Sequence, residues 1–261
     1  MKLTIISGKG FNEPSVFWAE NLLREARRQK QIPAGQIPAA CVLDPDGDIV
    51  SYLIKNGLCH VDPHWACYHS TLYNAWFGGL NFGIVGCAVG ASYAVLLAEQ
   101  MFVSGCELLI SITSAGIIQT PAKETKFILI ESALRDEGTS YHYLPADQTA
   151  ALNPVLKQKL INSFAGNALM VEVGRSWTTD APYRETKTAI ELAKTQGVIS
   201  VEMEAAALYA FAMAKNKKVI CYAHLTNTMG QDGQDFEKGI ENGSVDSLSI
   251  ILHTAKTIVS H

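Results

Sequence analysis

The sequence predicts an α/β fold: a single domain with a central mixed, largely parallel sheet flanked by helices. Short apolar runs alternate with amphipathic segments, and several runs lack two-residue alternation, as is typical of strands buried on both faces. The chain has 261 residues, 48% of them hydrophobic, which is enough for a large core. The predicted strands are Leu3–Ser7, Phe82–Gly86, Glu107–Ile112, Lys126–Glu131, Ala168–Val173 and Lys218–Thr226.

The helices between these strands have recognisable ends. Pro14 suits the first helical position, and Gly105 is a favoured residue just past a helix. Residues 33–76 are rich in proline, glycine and aspartate near their start, so we expect a loop-rich excursion within the single domain 1–261. The predicted helices are Pro14–Gln29, Ala91–Ser104, Arg184–Gln196, Glu202–Lys215 and Val245–Ser260.

Composition narrows the class of protein. The net charge of −4 and the pI of about 6.0 argue against a nucleic-acid-binding protein, which carries a concentrated basic face. No apolar stretch reaches the roughly 20 residues of a membrane-spanning helix. Met1 leads straight into the first predicted strand, unlike a signal peptide. Six scattered cysteines fit reduced thiols, so we expect a cytoplasmic protein without disulfides.

The segment Val201–Ala207 is the most informative stretch of the chain. It places Glu202, Met203 and Glu204 at the predicted start of a helix rich in small residues. A carboxylate beside a polarisable apolar group suits a sugar, because it accepts hydrogen bonds from neighbouring hydroxyls while the thioether covers a ring face. The alternative is an ordinary solvated first turn.

Two further segments follow predicted strands. Gly86–Ser92 is a glycine-rich turn between a strand and a helix, where backbone N–H groups can approach an anion. It lacks the Gly-Lys-Ser/Thr of a P-loop. Ile112–Gly116 carries small hydroxyl residues, including Ser114, where α/β folds bind ligands. Plain tight turns are the alternative for both.

Two late segments offer groups for a flat ligand. In Trp177–Thr186, Tyr183 or Trp177 could stack on a ring and Arg184 could bond a carbonyl. Asn227 has a donor and an acceptor that match a lactam edge, as in uracil or a 6-oxopurine. A helix-capping loop and a simple turn residue are the respective alternatives.

A dense group of metal-capable side chains lies in the early part of the chain. Its spacing fits no known zinc pattern, so we predict no metal and expect mostly packing roles. One histidine, with His64 and His69 as candidates, could line an active site, including that of a neighbouring subunit. The group comprises Cys59, His60, Asp62, His64, Cys67 and His69.

Taken in order, these segments resemble the nucleoside phosphorylase and nucleosidase superfamily, of the purine nucleoside and uridine phosphorylase type. The resemblance runs from about Phe82 to Gln231. Val201–Ala207 is similar to that superfamily's ribose-binding Glu-Met-Glu, and Ile112–Gly116 to its Gly-Ser/Thr-x-Gly turn. Gly86–Ser92 resembles its glycine-rich turn, and Asp180–Tyr183 its base-site loop.

The resemblance implies cleavage of the N-glycosidic bond of a nucleoside, with phosphate as co-substrate and no other cofactor. Glu204 is then expected to hold the ribose hydroxyls and act in catalysis, with Met203 and Glu202 completing the ribose site. Stronger bonds to the sugar as charge develops are differential transition-state binding. The remaining expected roles are phosphate binding by Gly8, Lys9 and Ser114, base binding by Tyr183, Arg184 and Asn227, and stabilisation of the leaving base by Arg184 and Asn227.

Departures from the superfamily pattern leave alternatives open. Ser111 stands where phosphorylases of this type usually carry arginine, and Ser7–Gly10 replaces a Gly-Asp-Pro turn, which favours hydrolysis. Asn227 stands where the nucleosidases usually carry aspartate, which favours uridine or a 6-oxopurine nucleoside. The leading hypothesis is a cytosolic nucleoside phosphorylase of nucleoside salvage, assembled as a homo-oligomer, either a dimer or a trimer of dimers. A hydrolytic nucleosidase and a catalytically silent nucleoside-binding module are the alternatives, and a metal-dependent hydrolase is the least favoured.

Overall fold

The computed structural model describes residues 9–121, 125–228 and 237–259, and it confirms the α/β class with a large mixed sheet flanked by helices. The strands are β1 Ala40–Asp44, β2 Cys59–Val61, β3 Tyr73–Phe77, β4 Leu80–Gly86, β5 Leu108–Ile117, β6 Phe127–Asp136, β7 Ala150–Ala151, β8 Val171–Thr179, β9 Val198–Glu202 and β10 Lys218–Thr228. The α-helices are α1 Ala19–Lys30, α2 Asp48–Lys55, α3 Ala91–Val103, α4 Pro154–Phe164, α5 Lys187–Thr195, α6 Ala205–Lys215 and α7 Ser244–Val259. Three short 3-10 turns lie at Ser140–His142, Pro182–Arg184 and Ile240–Gly243.

Five strands close into a ring. β5 pairs with β10, β10 with β6, β6 with β8, β8 with β9, and β9 with β5 again. The β10–β6 and β5–β9 pairs are antiparallel, and the other three are parallel. From β5 the sheet continues outward through β1, β4, β3 and β2. Because β1, β4, β5 and β10 run in the same direction, the segments that follow them meet at one edge of the sheet.

Helix α6 is the most buried helix near this edge. Its residues from Ala205 to Ala212 are all buried, and its small side chains allow close packing against the sheet. The hydroxyl of Tyr209 donates to the carbonyl of Ile130 in β6 and accepts from the amide of Cys221 in β10. The helix therefore bonds to two strands of the ring.

The structure corrects two sequence predictions. Residues 33–76 were expected to be loop-rich, but they contain β1, α2, β2 and most of β3. A short strand before a Pro-Asp-Gly turn gives little periodicity to detect. The predicted helix Glu202–Lys215 begins too early, because β9 ends at Glu202 and α6 begins at Ala205. The β-branched residues just before Glu202 favour a strand.

Most of the strand predictions agree with the structure. The strands predicted around β4, β5, β6, β8 and β10 are confirmed, with ends that shift by several residues. The predicted strand Leu3–Ser7 lies outside the described residues.

Helix α4 was missed, although Asn153 caps it by accepting from two backbone amides and Pro154 occupies its first turn. In the part of the chain that the structure describes, no helix is long and apolar enough to cross a bilayer.

Candidate functional site

Glu202 is the best-satisfied carboxylate near the sheet edge. One of its oxygens accepts from the hydroxyls of Ser176 at 3.1 Å and Thr178 at 2.6 Å. The other accepts from the backbone amides of Glu204 and Ala205, both at 2.7 Å. Burial raises the pKa of Glu202, while these four donors oppose that effect. These hydrogen bonds make Glu202 a positioning residue that fixes the start of α6, and its predicted ribose contact stays a prediction.

Glu204 lies two residues further on and is only half satisfied. Its Oε1 accepts from the backbone amide of Gly90 at 2.7 Å, but its buried Oε2 has no hydrogen-bond partner among the described residues. The side chain is 1% exposed. Burial first, and then the charge of Glu202, raise the pKa of Glu204 to about 8, although Thr113 beside it acts in the opposite direction. Glu204 is therefore largely protonated at neutral pH and has an oxygen available for a ligand.

The glycine-rich turn after β4 brings its backbone to this carboxyl group. Gly90 has φ +93°, a conformation that residues with a Cβ rarely adopt, and its amide points at Glu204. The turn is tied to the segment after β1, because the amide of Cys87 donates to the carbonyl of Asp44 at 2.8 Å. The prediction that Gly86–Ser92 forms a strand-to-helix turn is confirmed, and its Gly90 amide binds an acidic side chain of the chain itself.

Ser114, near the end of β5, was predicted to bind phosphate, and in the structure its donors bind a carboxylate of the chain itself. That carboxylate belongs to Asp46, whose two oxygens accept from the Ser114 amide at 2.8 Å and from its hydroxyl at 2.7 Å. Asp46 lies in the turn that directly follows β1, which ends at Asp44, and it is this turn that reaches Ser114. Of the segment Ser7–Gly10 that the sequence comparison selected, Ser7 and Gly8 lie outside the described residues.

The segment Asp44–Asp48 is held on several sides. Buried Asp44 accepts from the amides of Gly47 at 3.1 Å and Val50 at 2.9 Å, and burial raises its pKa to about 7. Lys238 lies 2.5 Å from a carboxylate oxygen of Asp48 and 3.5 Å from one of Asp46. The described charges close to Ser114 are therefore mainly acidic, with Lys238 as their cationic partner.

His224 lies on β10 opposite Ser114 of β5. It stacks on Phe127 with 4.5 Å between ring centroids, and its buried Nε2 has no partner among the described residues. Burial lowers its pKa to about 4, so the imidazole is neutral at neutral pH. His224 therefore adds no positive charge beside Ser114.

Asn227 lies at the end of β10, opposite Gly116 of β5, where the pairing register shifts. Such irregularities re-aim side chains at sheet edges. The hydroxyl of Thr226 donates to Oδ1 of Asn227 at 3.1 Å. The amide nitrogen of Asn227 is therefore the group left to donate to a ligand carbonyl.

The remaining predicted base-site residues lie apart from this arrangement. Tyr183 is 99% exposed in the 3-10 turn before α5, and Arg184 beside it is also exposed, so neither packs against Glu204 or Asn227. Trp177 is buried and donates its ring N–H to Asp136 at 3.0 Å, which removes it as a stacking platform.

The other two predicted phosphate-binding residues are Lys9 and Gly8. Lys9 acts electrostatically on His142, beyond the end of β6, and no contact among the described residues joins it to Ser114. Gly8 lies outside the described residues. Of the three predicted phosphate-binding residues, only Ser114 therefore has a described place at this edge.

The early group of cysteines and histidines is dispersed in the structure. His60 stacks on Trp76, and Asp62 accepts from the amide of His64. No group of three or more histidine, cysteine or acidic side chains among the described residues is arranged to hold a metal ion. Cys67 and His69 line a cleft of about 740 Å³ whose wall also includes Gly47, Gly86 and Cys87. This cleft therefore lies beside the glycine-rich turn.

Sequence reasoning missed Asp46, the residue that binds Ser114. It also assigned no role to Thr113, which lies beside Glu204, or to the hydroxyls of Ser176 and Thr178, which hold Glu202. The Pro45-Asp46-Gly47 turn after a short apolar run was the available signal for a strand end at the sheet edge. Nothing in the local sequence pairs that turn with Ser114.

Known proteins share both the sequence pattern and the fold. The chain is 23% identical over 180 residues to a guanosine phosphorylase of Halorubrum lacusprofundi, covering 68% of this chain and 75% of that protein. It is 27% identical over 184 residues to a DeoD-type purine nucleoside phosphorylase of Bacillus cereus, covering 68% and 77%. The crystal structure of a uridine phosphorylase from Vibrio fischeri superposes with a TM-score of 0.71 at 18% identity, covering 87% and 94%.

A model of the whole family extends over most of the chain. The family described as the phosphorylase superfamily matches residues 52–256. This range includes the glycine-rich turn, Ser114, Glu204 and Asn227. The chain belongs to the phosphorylase superfamily.

Proposed function

We propose that this protein cleaves the N-glycosidic bond of a nucleoside, uridine or a 6-oxopurine nucleoside, and transfers the ribosyl group to phosphate or water. The observation that carries the proposal is the half-satisfied carboxyl group of Glu204, buried at the sheet edge beside Thr113 and the Gly90 amide. An unpaired buried oxygen is costly unless a ligand satisfies it. Two neighbouring ribose hydroxyls supply the donors that it requires.

Ribose binding at Glu204 is coupled to loss of its proton. Hydroxyl groups that donate to the carboxylate favour the ionised form and lower its pKa from about 8. The resulting negative charge lies beside the sugar, where positive charge develops as the base leaves. Interactions that strengthen in the transition state accelerate the reaction. Met203, which is half-buried, is proposed to pack on the sugar.

The side-chain amide of Asn227 suits a base that carries a carbonyl oxygen. Because Thr226 occupies Oδ1, the Nδ2 group donates to a carbonyl such as O6 of a 6-oxopurine or O4 of uracil. The same donor stabilises negative charge on the departing base. We propose that Tyr183 and Arg184 complete the base site when a nucleoside binds, since both side chains are exposed without one.

Two acceptors of the ribosyl group have support. The names of the matched phosphorylases favour phosphate, and Ser114 does bind an oxyanion through its amide and hydroxyl. Because Asp46 accepts from both the amide and the hydroxyl of Ser114, the structure favours water as the acceptor of the ribosyl group. The expected homo-oligomer remains a prediction that light scattering can test.

Base release from uridine, inosine, guanosine and adenosine, measured by chromatography with and without inorganic phosphate, tests the proposal. We expect release from one of the oxo-base nucleosides and little from adenosine. Glu204→Gln should lower turnover at least about tenfold, because the neutral amide cannot develop the same attraction to a cationic sugar. The matched control is Glu191→Gln, an exposed glutamate on α5 whose replacement should leave turnover unchanged.

Two results would contradict the proposal. Folded wild-type protein that binds nucleosides but releases no base under either condition would replace the enzyme with a binding module. Normal turnover by Glu204→Gln would remove Glu204 from the catalytic site.

A further inference from the structure

Asp46 occupies the position that an external oxyanion would take at Ser114. Its two carboxylate oxygens accept separately from the amide and the hydroxyl of one residue. This two-point arrangement is how a phosphate group is held by a backbone amide and a serine. The subsite therefore carries its own anion, provided by the chain.

The position of Asp46 is held by its neighbours. Asp44 binds two amides on the far side of the turn, and Asp48 binds Lys238 and the side-chain amide of Asn242. Lys238 also reaches Asp46, whose side chain is 26% exposed. Phosphate would have to break two hydrogen bonds to Ser114 and move an anchored carboxylate before it could bind.

The charges around the subsite also disfavour phosphate. Asp46 and Asp48 both lie beside Lys238, so the positive charge there is already compensated. Ser111, which is buried in β5 three residues before Ser114, brings no charge. A phosphate dianion would therefore meet repulsion from Asp48 and from the displaced Asp46.

We propose that Asp46 excludes phosphate from the Ser114 subsite and so determines that water accepts the ribosyl group. The inference rests on the proposed function, and it selects one of the two acceptors left open there. In the reaction, the water oxygen forms a bond to C1′ of the ribose while the bond from C1′ to the base nitrogen breaks. The electron pair of the broken bond goes to the base, and the proton lost by water neutralises it. Asp46 is a specificity-determining residue in this scheme.

The test measures binding of inorganic phosphate by titration calorimetry and identifies the sugar product by chromatography. Wild-type protein should bind no phosphate in the millimolar range and should release free ribose at a rate that phosphate does not change. Asp46→Ala frees both Ser114 donors and removes a negative charge, so phosphate affinity should rise at least about tenfold. Ribose 1-phosphate should then appear among the products.

Two further variants keep the outcome interpretable. Asp46→Asn preserves the side-chain volume and should gain phosphate affinity in the same direction, in case Asp46→Ala folds poorly. Glu191→Gln is the matched control, because it also removes one negative charge but lies exposed on α5 without a contact to Ser114. It should remain insensitive to phosphate, and circular dichroism checks the fold of each variant.

The two proposals fail in different ways. Wild-type protein that binds phosphate tightly and yields only ribose 1-phosphate would overturn the role of Asp46 and leave the proposed nucleoside chemistry intact. Phosphate affinity that stays unmeasurable in both folded Asp46 variants would overturn it as well. Absence of base release under every condition would reject the proposed function, while the phosphate titrations would still decide whether Asp46 guards the subsite.

Discussion

Glu202 and Glu204 are two buried glutamates, two residues apart, with opposite surroundings. Glu202 accepts four hydrogen bonds from the protein, whereas the side chain of Glu204 accepts one from Gly90 and keeps a buried oxygen without a partner in the part of the chain that the structure describes. Local sequence gives both residues the same appearance. The difference teaches that burial alone does not distinguish the two residues, since the chain fills the hydrogen-bonding capacity of Glu202 but leaves part of that of Glu204 open among the described residues.

The largest effect on this comparison should come from Glu202→Ala. The change leaves the buried hydroxyl of Thr178 and two backbone amides without their acceptor, while Ser176 keeps the carbonyl of Ser200, so the free energy of unfolding should fall by about 3 kcal/mol. Urea denaturation followed by circular dichroism measures the loss. Glu191→Ala, at an exposed position, should cost less than about 0.5 kcal/mol. A loss under about 1 kcal/mol for Glu202→Ala would contradict the positioning role.

A second effect concerns how the stability of the folded protein depends on pH through Glu204. The pKa of Glu204 is raised from its ordinary value of 4.5 to about 8 in the folded protein, so its contribution to stability is fully present below pH 4.5 and is lost as the pH rises through 8. Glu204→Gln removes this dependence. The variant should gain stability relative to wild type between these limits, by at most about 1.4 kcal/mol per pH unit.

Subtracting the variant from the wild type leaves the titration of Glu204 together with its electrostatic effect on Glu202, whose pKa is also raised by burial. Asp44, with its pKa raised to about 7, loses stability in the same direction, whereas His224, with its pKa lowered to about 4, loses stability as the pH falls below 6.5. Both contributions are common to the two proteins and cancel in the difference. Denaturation curves at several pH values give that difference, and one that does not change with pH would show that Glu204 is not protonated in the folded state.

The smallest effect on stability should come from Tyr183→Ala. Because the side chain is 99% exposed, its removal should change the free energy of unfolding by less than about 0.5 kcal/mol. If Tyr183 stacks on the bound base, KM for the nucleoside should rise several-fold at unchanged kcat, the pattern of uniform binding. Leu192→Ala, which is exposed on α5, should change neither constant. An unchanged KM for Tyr183→Ala would remove it from the base site.

Whether an element could be predicted from the sequence depended on how far apart in the chain its interacting residues lie. Uninterrupted apolar runs identified β4, β5 and β10, because strands buried on both faces leave that pattern in the sequence. Segments that depend on partners distant in the chain were harder to predict. Strand β1 has only five residues, and its place between β4 and β5 depends on pairings with segments about 40 and 70 residues away.

The site shows the same limit. Glu204, Ser114 and Asn227 were proposed as site residues because each lies near one end of a predicted element. The partner of Ser114 was not found, because Asp46 lies 68 residues earlier and is joined to it only by the fold. The separate roles of Glu202 and Glu204 also depended on distant residues, since Ser176 and Thr178 of β8 take up one of the two carboxylates.

The hydroxyl of Tyr209 stands where the β6–β10 ladder would otherwise join Ile130 and Cys221 directly. One rung of the ring is thus made by a helix, and that ladder cannot open at this point without withdrawing α6. The helix that begins just after Glu204 consequently belongs to the same cooperative unfolding unit as the ring.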